Sequence, residues 1–370
     1  RGRANLLRAA LTGALPGGLA DPALGEALEL CLGCKACKSE CPSGVDMAKL
    51  KAEAYAQKYQ TQSPPLTALL FGHIDRVSAA VRPLAPLANA ALRFPLSRRL
   101  VQDFLHIHPR RSFPPFRRQT FTRLWQDPLP VSPTVALFPD TFTEFNEPEQ
   151  GLAAGRVLKA AGCRVALTPR RCCGRPLLSQ GLIPQARERA RSLVDALHPY
   201  SERGIPVLGL EPSCVLTIRD DYPDLLPGPR TEAVAQNIFL FDEYFLRLLD
   251  GAAQPPRFAP RRQHYIVHGH CYQKALVGEE PLLQALAAIP GARVHSTQAG
   301  CCGMAGAFGY DRERYELSVA IAGDRLLPAL NELPNAVIVA NGASCRHQIA
   351  DLTGRRAVHL AQALAEALVE

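Results

Sequence analysis

In the stretch Cys31-Leu-Gly-Cys34-Lys-Ala-Cys37-Lys-Ser-Glu-Cys41-Pro42, three cysteines come at two-residue gaps and a fourth follows after three more residues, with a proline behind it. Thiolates at this spacing hold a [4Fe–4S] cubane. The short gaps let one tight loop aim three sulfurs at three irons. Gly33 supplies the backbone freedom such a loop needs, and Pro42 turns the chain away from the cluster. A disulfide framework is a poor rival, because cysteines this close point at a common centre rather than pair across a fold. Zinc is the better rival, although zinc sites usually come as two separated pairs. The run occurs once, so either Cys41 closes its own cluster or a distant cysteine does. Lys35 and Lys38 beside the loop predict that the reduced, more negative state of such a cluster is favoured.

A second set of cysteines forms an internal repeat. Cys172-Cys173-Gly174 recurs as Cys301-Cys302-Gly303, displaced by 129 residues, and Cys214 recurs as Cys345, displaced by 131. Leu137-Phe-Pro-Asp-Thr141 aligns with Val267-His-Gly-His-Cys271, displaced by 130. The second copy therefore assembles Cys271, Cys301, Cys302 and Cys345, a candidate second metal site, iron–sulfur or zinc. The first offers only Cys172, Cys173 and Cys214, because Thr141 stands where the fourth thiol belongs. Three ligands would leave one position open or receive Cys41. His268 and His270 flank Cys271, where either a ligand role or ordinary core packing suits a histidine. Cys163 has no partner at the repeat offset and reads as packing. Gly303 to Gly309 is glycine-rich but lacks the strand-then-GxGxxG context of a dinucleotide site.

The elements that must carry these residues follow from periodicity. From Val135 onward short apolar runs alternate with amphipathic helices, the pattern of an α/β fold with parallel sheets. Expected strands are Val135–Phe138, Arg164–Leu167, Pro206–Gly209, Tyr265–His268, Arg293–His295 and Ala336–Ala340. Expected helices are Pro148–Ala161, Pro184–Leu197, Thr231–Leu249, Pro281–Ala288, Arg312–Leu330 and Val358–Leu368, with Asn146 as a helix start. Each repeated cysteine then falls at a strand end or helix start, the edge of a parallel sheet where ligands gather. Ahead of the repeats, Ala4 to Ala14 and Pro22 to Leu30 read as helices, and Asp46 caps a third through about Gln60.

Residues 61–131 are proline-punctuated, so their helices should be short. Eight arginines between Arg93 and Arg123 face one acid, Asp103, which accounts for nearly all of the formal net charge of +8. Such a strip suits an anionic membrane surface, a nucleic acid or an acidic partner. The preferred reading is a connector whose arginines pair with acids elsewhere in a larger assembly. No nucleic-acid recognition module is present, so nucleic acid is not expected. At 370 residues the chain can form two or three cored domains. No apolar run reaches membrane-spanning length. The first residues carry no secretion signal, and cysteines arranged as ligand clusters suit a reducing compartment. The expected location is cytoplasmic, with peripheral contact on the inner face of the membrane. A start at Arg1 rather than methionine suggests a piece of a longer protein.

A doubled CCG element behind a CxxCxxCxxxCP loop resembles the cysteine-rich CCG family, which includes heterodisulfide reductase, glycolate oxidase and anaerobic glycerol-3-phosphate dehydrogenase subunits. Phe71-Gly-His-Ile-Asp-Arg, Phe138-Pro-Asp-Thr-Phe-Thr, Cys172-Cys-Gly-Arg-Pro-Leu, Leu210-Glu-Pro-Ser-Cys, His268-Gly-His-Cys and Cys301-Cys-Gly-Met-Ala-Gly-Ala-Phe-Gly-Tyr narrow it. They resemble the iron–sulfur half of bacterial FAD-linked oxidases of the D-2-hydroxyglutarate and D-lactate dehydrogenase type. The chain departs from glycolate-oxidase-type subunits in having one ferredoxin run instead of two. It departs from heterodisulfide reductases in having a lone last cysteine in each copy.

The resemblance implies an N-terminal helical ferredoxin-like [4Fe–4S] domain over 1–60 and a helical connector over 61–131. Tandem CCG repeats follow over 132–255 and 256–370. It implies a module that relays electrons from FAD, bound in an upstream domain, to a quinone or carrier protein. This segment would hold no FAD and no catalytic residue. Hydride would leave a D-2-hydroxy acid in the flavin domain, and Arg1-Gly-Arg-Ala-Asn-Leu-Leu-Arg would be the exit from it. The alternatives are a separate iron–sulfur subunit acting with flavoprotein partners, and a zinc-stabilised interaction domain.

Overall fold

Short apolar runs bounded by proline, glycine and polar residues build two four-stranded, all-parallel sheets in a computed structural model that describes residues 2–251 and 255–369. Arg1, residues 252–254 and Glu370 lie outside the described residues. The first sheet contains β1 (Val135–Phe138), β2 (Val165–Leu167), β3 (Val207–Gly209) and β4 (Ile238–Leu240), in the order β2-β1-β3-β4. The second contains β5 (His264–Val267), β6 (Arg293–Ser296), β7 (Val337–Val339) and β8 (Ala357–Val358), in the matching order β6-β5-β7-β8. Ala136 pairs with Val207 in one sheet and Tyr265 with Val337 in the other. The sequence repeat is thus a structural repeat, and the strand order reverses direction beside β1 and β5. That switch point is where parallel sheets gather ligands.

Successive side chains on a strand point to opposite faces, and here the two faces enter different cores. Val135, Leu137, Leu208, Tyr265, Val267 and Val339 point into a core shared by both repeats. There helix Pro148–Ala160 packs on Leu360–Ala367, and Phe241–Gly251 packs on Glu280–Ala287. Ala136, Phe138 and Val207 point outward beneath helix Ile183–Glu202, while Ile266, Ile338 and Ala340 point outward beneath helix Ala343–Thr353. Cys163 lies in the shared core, as packing requires.

Three expected helices are divided. Thr231–Leu249 is interrupted by β4, an edge strand whose Ile238 and Leu240 are buried and Phe239 half-buried. An apolar run of three residues between helical turns carries no period that separates strand from helix. The same holds at β8, which takes the start of the expected Val358–Leu368 helix, and at Arg325, where Arg312–Leu330 breaks into Tyr315–Asp324 and Leu326–Glu332. Asn146 ends a short helix, Thr141–Phe145, instead of starting the next.

Ahead of the sheets, helices Gly2–Leu11, Pro22–Glu29 and Met47–Lys58 surround a small core of Leu7, Leu24, Leu28 and Met47. Asp46 caps the third through Ala48 N–H and Lys49 N–H. Four short helices, Leu66–Gly72, Ile74–Val81, Ala85–Arg93 and Pro95–Phe104, follow. The arginine strip finds partners within the chain itself. Arg111 is fully buried, donating to Gly309 O, Gln348 Oε1 and Ser318 Oγ, with Asp351 at 3.5 Å. It anchors the connector to the second repeat. Arg117 pairs with Glu149, and Arg312 reaches back to Asp103. Among the described residues no helix is long and apolar enough to cross a membrane.

One residue joins the repeats through both ring nitrogens. His359 caps the last helix, with Nδ1 accepting from Ala361 N–H at 3.0 Å and Nε2 against Leu210 O, at the end of β3, at 3.1 Å. Only the neutral ring serves both bonds. Burial, then Arg346, push its pKa down to about 3. A folded pKa below the unfolded value of about 6.5 means that the stability is present above that pH and is lost as pH falls towards 3. His359→Asn keeps a capping acceptor but drops the Leu210 bond, and should cost about 1 kcal/mol at pH 8. At pH 5 the gap should close or reverse, because the wild-type protein has by then lost about 2 kcal/mol through this ring. Urea titrations at the two pH values measure the difference; an equal gap at both would refute the assignment.

Candidate metal centre

The cysteine loop begins where helix Pro22–Glu29 ends and closes where Asp46 caps the next helix. Gly33 adopts φ +63°, a left-handed conformation that glycine takes at no cost. Cys34 lies close to Cys31 and Cys37, and burial followed by these thiolates raises its pKa. Met47 N–H points at Cys37 Sγ at 3.4 Å. Cys41 takes N–H groups from Val45, Ser43 and Gly44, which lower its pKa. Three thiols converging in a loop whose amides point at sulfur fit a [4Fe–4S] cluster, with Cys41 held ready as thiolate.

What fixes this loop in place is Lys35. The residue is only 1 % exposed and sits at φ +61°, a strained position for a side chain. Its ammonium lies 2.9 Å from Asp46, 2.6 Å from Asp220 and 2.5 Å from Asp221. Burial alone would lower its pKa; the carboxylates overcome that and raise it. Lys38 also pairs with Asp220, and Lys49 lies 2.6 Å from Asp224. Thr217–Asp221 is a π-helical turn, and that extra residue per turn brings adjacent Asp220 and Asp221 to one ammonium. The expectation that Lys35 and Lys38 favour a reduced cluster is therefore corrected: their charge is spent on aspartates, not on the cysteines. The carboxylate trio of Asp46, Asp220 and Asp221 likewise already has its cation.

The loop's other neighbour is the second repeat. Helix Ala36–Glu40 packs on helix Cys271–Leu276, and Cys34 is near enough to Cys271 to feel its charge. From there the sulfurs run in a line: Cys271 contacts Cys301, Cys301 contacts Cys302, and Cys302 contacts Cys345. Gly303 N–H points at Cys301 Sγ at 3.3 Å. A Cβ on Gly342 would come within 3.2 Å of Cys345 Sγ and press on the His270 ring, so glycine keeps this cradle open. At the far end a nitrogen of His268 lies with Cys302 and Cys345 Sγ, all within 4.8 Å of one another. Four thiolates in a line with an imidazole fit a polynuclear centre better than the single tetrahedron of zinc. His270 is occupied as a helix cap, accepting from Tyr272 N–H at 3.2 Å.

The first repeat brings its three cysteines together without a fourth. Cys173 and Cys214 sulfurs are 3.0 Å apart, Cys172 contacts Cys173, and Gly174 N–H points at Cys172. Cys173 lowers the Cys214 pKa, but burial and Asp140 carry it up to about 12. Thr141 opens its helix behind the Asp140 cap, at the place Cys271 holds behind His270. Cys41 takes its partners from its own loop.

Sequence reasoning passed over Arg175, which joins all three groups. Its guanidinium stacks on Tyr272 at 4.6 Å, approaches Gly33 of the loop, and feels the charges of Asp221, Cys173 and Cys271. Its place directly after Cys172-Cys-Gly was the available signal. Glu211 was also missed. It bridges the repeats, accepting from Ser213 Oγ and Ala343 N–H at 2.8 Å each, and burial and Asp140 push its pKa up to about 7.

A family model described as the CCG cysteine-rich domain matches residues 135–219 and 265–350. An iron–sulfur-type relative, one subunit of the anaerobic glycerol-3-phosphate dehydrogenase of Escherichia coli (strain K12), is 32% identical over 334 residues, with 88% of this chain and 83% of that protein aligned. The D-2-hydroxyglutarate dehydrogenase of the same strain is 28% identical over 362 residues, covering 92% of this chain but 34% of that protein. The probable glycolate oxidase iron-sulfur subunit of Bacillus subtilis (strain 168) is 26% identical over 406 residues, covering 99% and 87%.

Removing one partner from a buried ion cluster leaves uncompensated charge, at a cost of about 3–5 kcal/mol. Lys35→Met should therefore release the cysteine loop from the first repeat, seen as faster amide exchange over 35–46 and a denaturation midpoint lowered accordingly. Adding Asp221→Asn should recover part of the loss. Unchanged exchange over the loop in Lys35→Met would show that the ion cluster does not hold it.

Proposed function

The chain belongs to the CCG cysteine-rich-domain family of iron–sulfur oxidoreductase components, and from that premise we propose that it is the electron-relay module of a flavin-dependent dehydrogenase. The observation that carries the reading is the meeting of the cysteine loop and the second repeat's thiolate line at Cys34 and Cys271. Cys31, Cys34, Cys37 and Cys41 would hold a [4Fe–4S] cluster in a helical ferredoxin-like domain over 1–60. Cys271, Cys301, Cys302 and Cys345 would hold a second centre. Cys172, Cys173 and Cys214 would keep a structural or three-ligand role. When bound, such centres take up and pass on single electrons, whereas a flavin collects two from its substrate at once. The chain's own residues hold the sulfurs, exclude water from Cys302 and Cys345, and place the Arg175 cation where it stabilises added negative charge.

The donor in this reading is FAD reduced by a D-2-hydroxy acid, D-2-hydroxyglutarate or D-lactate, and the acceptor is a quinone or carrier protein. A second reading has a specific observation behind it: the higher identity and coverage with the glycerol-3-phosphate dehydrogenase relative favours a separate polypeptide serving glycerol 3-phosphate oxidation. Flavin reduction by D-2-hydroxyglutarate, D-lactate or glycerol 3-phosphate, in the protein purified with its flavin domain or flavoprotein partner, separates the two. We place a peripheral cytoplasmic membrane contact on the exposed Leu87, Phe94, Leu96, Leu100 and Phe104 of helices Ala85–Arg93 and Pro95–Phe104. Exposed Arg93 and Arg99 beside them suit anionic lipid.

Visible absorption after anaerobic reconstitution separates iron–sulfur from zinc, since zinc thiolates are colourless; zinc without iron would overturn the proposal. Cys37→Ser should leave flavin reduction by substrate intact and slow its reoxidation by the natural acceptor. A collapse of flavin reduction itself, in a folded and FAD-replete variant, would contradict a relay-only role.

Arg175→Met should lower the midpoint potential of a neighbouring centre, by about 60 mV for each 1.4 kcal/mol of lost attraction, with Arg175→Lys in between. An anaerobic redox titration followed by EPR measures it; unchanged potentials would remove Arg175 from this role.

A further inference from the structure

His268 follows the end of β5 and is fully buried. Its Nδ1 lies 3.3 Å from Thr297 Oγ1, a hydroxyl that also accepts from Ala299 N–H. Its Nε2 has no hydrogen-bond partner. Leaving a buried polar atom unpaired costs about 1–3 kcal/mol, so such an atom is uncommon unless something binds it. The sulfurs of Cys302 and Cys345 lie within 4.8 Å of this ring. The first repeat supplies an internal comparison. At the position displaced by 130 residues stands Phe138, just as Thr141 stands where the second repeat has Cys271. The first repeat therefore lacks the imidazole and the thiol together, and the second has both.

We propose that His268 is a metal ligand of the second repeat, its Nε2 joining Cys302 and Cys345 to make one end of the thiolate line a mixed nitrogen–sulfur site. The inference rests on reading that repeat as an iron–sulfur site. With Nδ1–H donating to Thr297 Oγ1, the ring is fixed in the tautomer whose Nε2 lone pair faces the sulfurs, the usual arrangement behind a ligating histidine. His270 does not compete, because its Nδ1 caps the Cys271 helix and its Nε2 faces Glu211 at 4.0 Å. A neutral imidazole in place of a thiolate removes one negative charge from the centre and raises its potential. The second repeat would then be the more readily reduced end of the relay.

The test uses the full chain reconstituted anaerobically with iron and sulfide, once with natural and once with ¹⁵N-labelled histidine. Pulsed EPR should show a strongly coupled nitrogen that changes with the isotope. His268→Cys should lose that coupling, keep its iron, and titrate at a lower potential than the wild-type protein. Thr297→Val should weaken the coupling by freeing the ring. The isotope pair does not depend on any variant folding. Iron that is lost on Cys302→Ser, combined with no isotope-sensitive strong coupling in the wild-type protein, overturns the ligand while leaving the iron–sulfur reading in place. If Cys302→Ser loses no iron, the second repeat holds none, and both fall.

Discussion

A single buried ammonium governs how the three segments of this chain meet. Lys35 contributes one positive charge to a site it shares with Asp46, Asp220 and Asp221. Two of those acids come from the first repeat and one from the loop's own helix cap. Burying that many charges is expensive unless the geometry satisfies them, and the left-handed backbone at Lys35 adds strain. The arrangement persists because each group finds a partner only when the loop is docked. Docking then brings Cys34 to Cys271 and Gly33 to Arg175. Every later distance between redox-capable groups depends on that one registration.

The two repeats divide their labour along a shared core. Their inner helices pack pairwise and their sheets have the same order, so each stabilises the other. Chemistry has diverged while packing has not. The first repeat gives Asp220, Asp221 and Arg175 to the loop and keeps a compact trio of thiols. The second keeps the longer thiolate line. A duplicated fold can give up ligands in one copy without losing stability, because the strand faces that fill the cores are separate from the strand ends that carry the site.

The cysteine loop, its glycine and the Asp46 cap were legible in the sequence because their geometry is local. The repeat was legible because identical motifs recur at nearly constant offset, and the parallel sheets followed from the alternation of strand and helix. β4 and β8 were hidden because three-residue edge strands are too short to show a period. The Lys35 cluster was hidden for another reason: Asp220 and Asp221 lie far along the chain and reach one ammonium only through a π-turn that no pattern announces. Arg111 looked like part of a surface strip because composition counts charges without knowing which are buried.

Burial also gives the proposed relay a direction. Cys34, Cys37 and Cys41 are partly exposed, Cys271 and Cys301 are intermediate, and Cys302 and Cys345 are buried. A protein or flavin partner exchanges electrons most readily with the centre nearest the surface, which here is the loop. The buried line behind it is shielded from water and from adventitious oxidants, and Arg175 lies where the two meet. Its cation lowers the energy of added negative charge on either side of the Cys34–Cys271 contact. A compensated lysine could not do this, since Lys35 is neutralised by its aspartates. The ion cluster therefore sets position, and the arginine that remains beside the sulfurs sets potential.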